Sequence, residues 1–218
     1  MALCSRFPIA SLFLLGGIAA TAQQSAPIVQ PGAPGQPGKL LNEATVWAPS
    51  KAPFNADVEF MQGMIMHHQQ AVDMVALLRT HGKSPALRSF GDKISISQSD
   101  EIRFMKQWLE SRGKPTTMEM DHSHMSAADM KNMNMLMPGM LTPEQMAALT
   151  KARGAQFDHL FLTGMIQHHG GALTMVDELF KTPGAAQDPV LFDFATDIEN
   201  TQSAEIKIMR AMLDKEKQ

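Results

Sequence analysis

The chain has 218 residues, a formal net charge of −3, one cysteine, no tyrosine and 19 methionines. That balance lacks the basic stripe a nucleic-acid-binding surface needs, and a single thiol excludes a disulfide framework. By length, residues 54–218 fit one domain.

In chain order, residues 1–22 read as a secretory signal peptide. Arg6 supplies the positive start, Ile9 to Ile18 a short apolar run, and Ala20-Thr21-Ala22 a small-x-small cleavage site. The apolar run is too short to span a bilayer comfortably, and no later segment is apolar enough to span. Cys4 precedes this run, so cleavage leaves a mature chain without a thiol. Such a chain is held by its core, and any soft-metal site in it must use Met and His. That suits an oxidising, exported compartment, periplasmic or secreted. Residues 23–53 read as a disordered Pro/Gly-rich tether, with Pro27, Pro31, Gly32, Pro34, Gly35, Pro37 and Gly38.

From Asp57 onward the apolar spacing is helical. Phe60, Met64, His67, His68, Ala71, Val75 and Leu78 share a face, and Gly82 ends the helix in the C′ position. Ser84-Pro85 starts a second helix, Ser84 as cap. Its inward stripe is Leu87, Phe90, Ile94, Gln98, Glu101, Ile102, Met105, Trp108 and Leu109, and Gly113 and Pro115 end it. Residues 114–141 hold Met118, Met120, His122, His124, Met125, Met130, Met133, Met135, Met137 and Met140, too rich in Met for an ordinary loop. Ser126 to Asp129 can cap one short helix there; the rest is expected to be mobile. Thr142-Pro143-Glu144-Gln145 spells a capping box, and Gly154 breaks that helix. The next helix runs to about Lys181, Pro183-Gly184 is a turn, and Asp188-Pro189 opens the last helix. The last stripe is Phe192, Ala195, Ile198, Gln202, Glu205, Ile206, Met209 and Leu213. No stretch alternates with period two, so no sheet is expected.

The chain repeats itself. Asp57, Phe60, Gly63, Met64, Ile65, His67, His68, Ala71 and Met74 recur without a gap 101 residues later as Asp158, Phe161, Gly164, Met165, Ile166, His168, His169, Ala172 and Met175. Gln98, Glu101, Ile102, Met105 and Leu109 recur 104 residues later as Gln202, Glu205, Ile206, Met209 and Leu213. The duplicated unit is therefore a helical hairpin, and two hairpins pack most simply as a four-helix bundle.

The repeated side chains are thioethers and imidazoles, ligands for soft or borderline metals. Met61, Met64 and His68 stand at i, i+3 and i+7 on one face, with His67 about 100° round the axis. One helix thus offers a thioether and an imidazole to one ion, while the second imidazole serves another ion or a partner helix. Met165, His168 and His169 repeat the arrangement, with Leu162 in place of Met61. Two adjacent histidines in each copy are costly to bury without partners, which favours ligation. Taken singly, Met74, Met175, Met105 and Met209 read as core filling before ligation; Met105 and Met209, which match across the repeat, stay among the candidate ligands. Met118, Met120, His122, His124 and Met125 form a separate capture segment. Gln98, Glu101, Gln202 and Glu205 either orient the imidazoles or form a polar layer that sets helix register. Asp57 and Asp158 read as helix N-caps. Gly63 and Gly164 weaken helix interiors, an effect that close approach or ligand access could offset.

The duplicated Phe-x-x-Gly-Met-Ile-x-His-His-x-x-Ala-x-x-Met pattern resembles the DUF305 family, a ferritin-like helical group with an exported copper-binding member. The resemblance covers residues 54–215. It implies an all-α, ferritin-like four-helix bundle in the periplasm or outside the cell that binds copper or silver. By motif match the implied ligands are Met64, His67, His68, Met165, His168 and His169. The leading expectation is an exported protein that sequesters or carries Cu(I), with Ag(I) or Cu(II) as further ligands. It would contribute to copper resistance or homeostasis and catalyse no reaction. Its expected partners are copper ions and other periplasmic copper-handling proteins, with no nucleic acid and no membrane span in the mature chain. Two alternatives are a ferritin-like di-metal oxidase and a bundle that binds a protein partner. The first lacks the Glu-x-x-His pattern, because Met64 and Met165 stand where the Glu is required. Deleting 114–141 is expected to lower metal capacity and leave the fold intact.

Overall fold

A computed structural model describes residues 28–30, 39–41, 54–118 and 137–216. The signal peptide read at 1–22, most of the tether, and the short helix read at Ser126 to Asp129 lie outside the described residues. The chain divides into two compact units, residues 1–48 and 49–218. In the first, strands β1 (Ile28–Gln30) and β2 (Lys39–Leu41) pair antiparallel, Val29 facing Leu40. This small sheet was not expected: strands of three residues are too short for a period-two pattern to show.

The second unit is all-α. Its helices are α1 (Asn55–His81), α2 (Pro85–Glu110), α3 (Pro143–Lys151), α4 (Gly154–Lys181) and α5 (Pro189–Glu216). α1 packs on α2, α4 on α5, and α1 on α4, which makes the two duplicated hairpins into one four-helix bundle with α3 against α4. Phe104 on α2 and Phe194 on α5, with ring centroids 4.5 Å apart, join the remaining pair. The helix signals act as the sequence states. Ser84 accepts a hydrogen bond from the Leu87 amide at 3.2 Å. Thr142 and Gln145 form the reciprocal capping box. Gly154, at φ +65, separates α3 from α4 in a backbone region that an L side chain rarely enters.

Three local readings need correction. Gly82 ends α1 in an extended conformation, φ −72, and is not a left-handed C′ glycine. Phe192 is not on the inward stripe of α5; it is exposed and lies beside Phe180, ring centroids 5.3 Å apart, while Leu191 is fully buried in its stead. Leu191, Ala195, Ile198 and Gln202 keep one face, and Phe192 lies about 100° away from it. Asp57 and Asp158 are not N-caps of their own helices. Phe54 is the N-cap of α1 and Arg153 that of α4. Each aspartate instead holds the inter-helix turn of the other hairpin: Asp57 accepts from the Ala186 amide at 2.8 Å, and Asp158 from the Lys83 and Ser84 amides at 3.0 and 2.8 Å. The duplication thus carries a reciprocal clasp. Burial raises the Asp57 carboxyl pKa above its ordinary range, partly offset by the Ala186 hydrogen bond.

The core falls into two halves. One contains Phe60, Met61, Met64, Met105, Trp108, Met175 and Leu191. The other contains Met74, Leu78, Phe157, Phe161, Leu162, Met165 and Met209. His67, His68, His168, His169, Gln98 and Gln202 belong to neither apolar cluster and are buried. On α1 the two histidines fall in the chain between the residues of one half and those of the other, and on α4 the same holds.

Candidate metal centre

Adjacent histidines in a helix point about 100° apart, so each pair addresses two neighbours at once. His68 faces α2, where its Nε2 lies 2.6 Å from Glu101 Oε2. His169 faces α5, with Nε2 2.7 Å from Glu205 Oε2. His67 and His168 face each other across α1 and α4, ring centroids 3.8 Å apart. His168 donates from Nε2 to the His67 carbonyl at 2.7 Å, and His67 from Nε2 to the Pro138 carbonyl at 3.0 Å. All four imidazoles have no exposed surface.

These partners assign the tautomers. Each Nε2 faces a carboxylate or carbonyl oxygen, which only accepts, so each Nε2 carries the proton. In the neutral imidazole each Nδ1 is then a lone pair, and none of the four Nδ1 atoms has a hydrogen-bond partner among the described residues. The same is true of both polar side-chain atoms of Gln98 and of Gln202. Burial, and then the His68 charge, lowers the His67 pKa to about 3. Burial, and then the His67 charge, holds His168 well below its ordinary value. Both imidazoles are therefore neutral at neutral pH, the form that ligates metals. Burial pushes the Glu101 carboxyl up, but hydrogen bonds from His68 and Ser97 outweigh it and keep the carboxyl ionised below its usual range.

The predicted residues separate into three groups. Met61, Met64 and Met105 are fully buried in one core half, and Met165 and Met209 in the other, with Leu162 where a second Met61 would be. Met118 is half-buried at the start of the connecting segment, and its methyl lies over Gly63. Met120, His122, His124 and Met125 lie outside the described residues. Among the described residues no group of three or more His, Cys, Asp or Glu side chains is placed to hold one ion. Thioether sulfur and imidazole nitrogen are both among the buried donors of the bundle, a donor set suited to a soft ion.

The two ends of the connecting segment belong to the fold, which composition did not indicate. Gln62 donates to the Pro115 and Thr117 carbonyls at 2.8 and 3.1 Å. Gln70 pairs with the Leu141 backbone through both its amide atoms, at 2.7 and 3.0 Å. Gln167 reaches the Gly139 and Met140 carbonyls, both at 3.3 Å. Gly171 lets the chain pass: a Cβ there would sit 1.8 Å from the Pro138 oxygen. Leu141 is buried in the core. A signal for this existed in the sequence. Positions 62, 66 and 70 hold Gln, Met and Gln, whereas their counterparts 163, 167 and 171 hold Thr, Gln and Gly. The repeats diverge along one helical stripe, and at 62, 70, 167 and 171 the single-copy segment packs on each copy differently.

Among the described residues no helix is long and apolar enough to cross a membrane. The sequence profile described as "Domain of unknown function (DUF305)" matches residues 57–213. A search of curated proteins returns no match. Among solved structures, the chain is similar to a DUF305 protein of Streptomyces coelicolor, with 28% identity and a TM-score of 0.62, over 73% of this chain and 93% of that one. It is similar to a DUF305 fragment of Deinococcus radiodurans, with 28% identity and a TM-score of 0.63, over 76% of this chain and 99% of that one. It is also similar to CopM in its Cu(I)-bound form, with 27% identity and a TM-score of 0.55, over 73% of this chain and 96% of that one; CopM has further been solved with Cu(II) and with Ag. With the profile spanning both hairpins, the chain belongs to the DUF305 family.

Proposed function

We propose that this protein is exported and binds Cu(I), and also Ag(I), through the Met and His side chains of its bundle, so as to sequester or carry the ion without catalysing a reaction. The observation that carries the reading is the uniform arrangement of the four buried histidines. Each has its Nε2 engaged by an oxygen and its Nδ1 without a partner among the described residues. That is how a metal-ligating imidazole is oriented by its outer hydrogen bond. Met64 precedes the first pair and Met165 the second at helical reach, and both thioethers are fully buried. Thioethers favour Cu(I) and contribute little to Zn(II) binding. The similarity to CopM, solved with copper and silver, supports the same reading.

Here His67, His68, His168 and His169 supply nitrogen, and Met61, Met64, Met105, Met165 and Met209 supply sulfur. Glu101 and Glu205 hold two imidazoles in register, and the neutrality of His67 and His168 means that binding need not first displace protons from them. Anaerobic titration of the protein lacking residues 1–22 against a chromogenic Cu(I) chelator tests this. More than one equivalent of Cu(I) is expected to be withdrawn from the chelator, with little displacement by Zn(II). Failure to compete with the chelator would overturn the proposal.

A further inference from the structure

We propose that Met118, Met137 and Met175 form a separate three-thioether site for a soft monovalent ion, Cu(I) or Ag(I), over the bare backbone of Gly63. The proposal rests on the copper reading of the bundle and adds to it a site outside the histidine layer. A Cβ at Gly63 would lie 3.1 Å from Met118 Cε, 3.1 Å from Met137 Sδ and 3.4 Å from Met175 Cε. The ends of three methionine side chains, from three distant parts of the chain, thus converge on one point of α1. Met137 meets that point through its sulfur, and the sulfurs of Met118 and Met175 lie one bond behind the methyls that touch it.

The convergence is held in place from both sides. Gln62, next to Gly63, binds the Pro115 and Thr117 carbonyls and so fixes the chain just before Met118. His67, one turn on, binds the Pro138 carbonyl and so fixes the chain just after Met137. Met175 is nearly buried on α4. The second copy of the motif provides an internal control. Over Gly164 the nearest atoms are Leu141 Cδ2 at 3.0 Å and Met74 Cε at 3.3 Å. Met74 is the repeat counterpart of Met175, but a leucine takes the place of the other two methionines. A glycine at this helix position is thus covered by a leucine and one methionine in one copy and by three methionine ends in the other.

Three neutral, polarisable donors without a charged group are a ligand set for Cu(I) or Ag(I) and a poor one for Zn(II) or Mg(II). Met118 and Met137 are half-buried, so an ion reaches this site without opening the bundle.

The test is Ag(I) titration of the whole protein labelled with 13C-methyl methionine, followed by NMR, the signals being assigned through single Met→Leu variants. The methyl signals of Met118, Met137 and Met175 are expected to shift together and to saturate with the same equivalent. The double variant Met118→Leu/Met137→Leu, which conserves volume, is expected to lose one equivalent in the Cu(I) chelator competition. If those three methyls stay fixed while Met64 and Met165 respond, this site is wrong and the bundle reading stands. If no methionine methyl moves and no Cu(I) is withdrawn, both fail. The NMR experiment on the unsubstituted protein decides the matter even if the double variant does not fold.

Discussion

The adjacent histidines divide their work. His67 and His168 meet at the α1–α4 interface, while His68 and His169 reach outward to Glu101 and Glu205. The sequence left open whether these glutamates orient imidazoles or set register; the geometry shows the hydrogen bonds that orientation requires. Glu101→Ala should therefore weaken Cu(I) binding about 10- to 100-fold, the usual effect of removing an outer partner of a ligating histidine. Chelator competition measures this, and an unchanged affinity with lowered stability would leave only the register role. Acid offers a second handle. The folded pKa of His67 is near 3 and its ordinary value 6.5, so the unfolded chain takes up protons first. His168 shifts the same way, and Glu101 adds to the effect below its ordinary value of 4.5. Asp57, with a raised pKa, acts in the opposite sense. The titratable groups that act on His67 are His68 and His169, with the His168 ring against it. The expected net result is full stability above about pH 6.5 and progressive loss toward pH 3, read as a falling urea midpoint. A midpoint that rises on acidification through this window would contradict it.

At the scale of elements, the sequence announced the four long helices and α3 through caps and periodicity, because each signal is local. What it could not announce was anything resting on contacts between hairpins. Asp57 and Asp158 precede apolar stripes as an N-cap does, yet each lies inside its helix and caps the turn of the other hairpin. Asp158→Ala leaves the Lys83 and Ser84 amides without this acceptor and should cost about 1–3 kcal/mol. Chemical denaturation measures it, and Asp158→Asn, which keeps an acceptor, should cost less. Phe192 was misplaced by one residue of helical phase, for a similar reason. Both Phe192 and Leu191 fit a helical stripe, and only the pairing of α5 with α4 decides between them. The anchoring of the connecting segment was legible in principle, in the stripe where the repeats diverge, but only once that divergence is seen as a packing surface.

At the scale of the whole molecule, the duplication builds a bundle with two thioether-bearing core halves and buried imidazoles between them in sequence. The halves differ in Met61 against Leu162, so two related sites of unequal sulfur supply are expected. The connecting segment is not a detachable insert throughout its length. Removing all of 114–141 would take away Leu141, which is buried, and the Pro138 carbonyl that His67 binds. Met118 and Met137 instead meet over Gly63, so a short Gly/Ser linker can replace residues 119–136. That variant should keep its helical circular dichroism and melting temperature while binding fewer Cu(I) equivalents; an unfolded product would contradict this division of the segment.

The proposed function requires this interior to coordinate a soft ion through sulfur and nitrogen together. X-ray absorption at the copper edge on the Cu(I)-loaded protein, lacking residues 1–22 and with 119–136 replaced by the linker, tests that most directly. A low-coordinate Cu(I) shell containing both sulfur and nitrogen neighbours is expected. A shell of nitrogen and oxygen alone would contradict it.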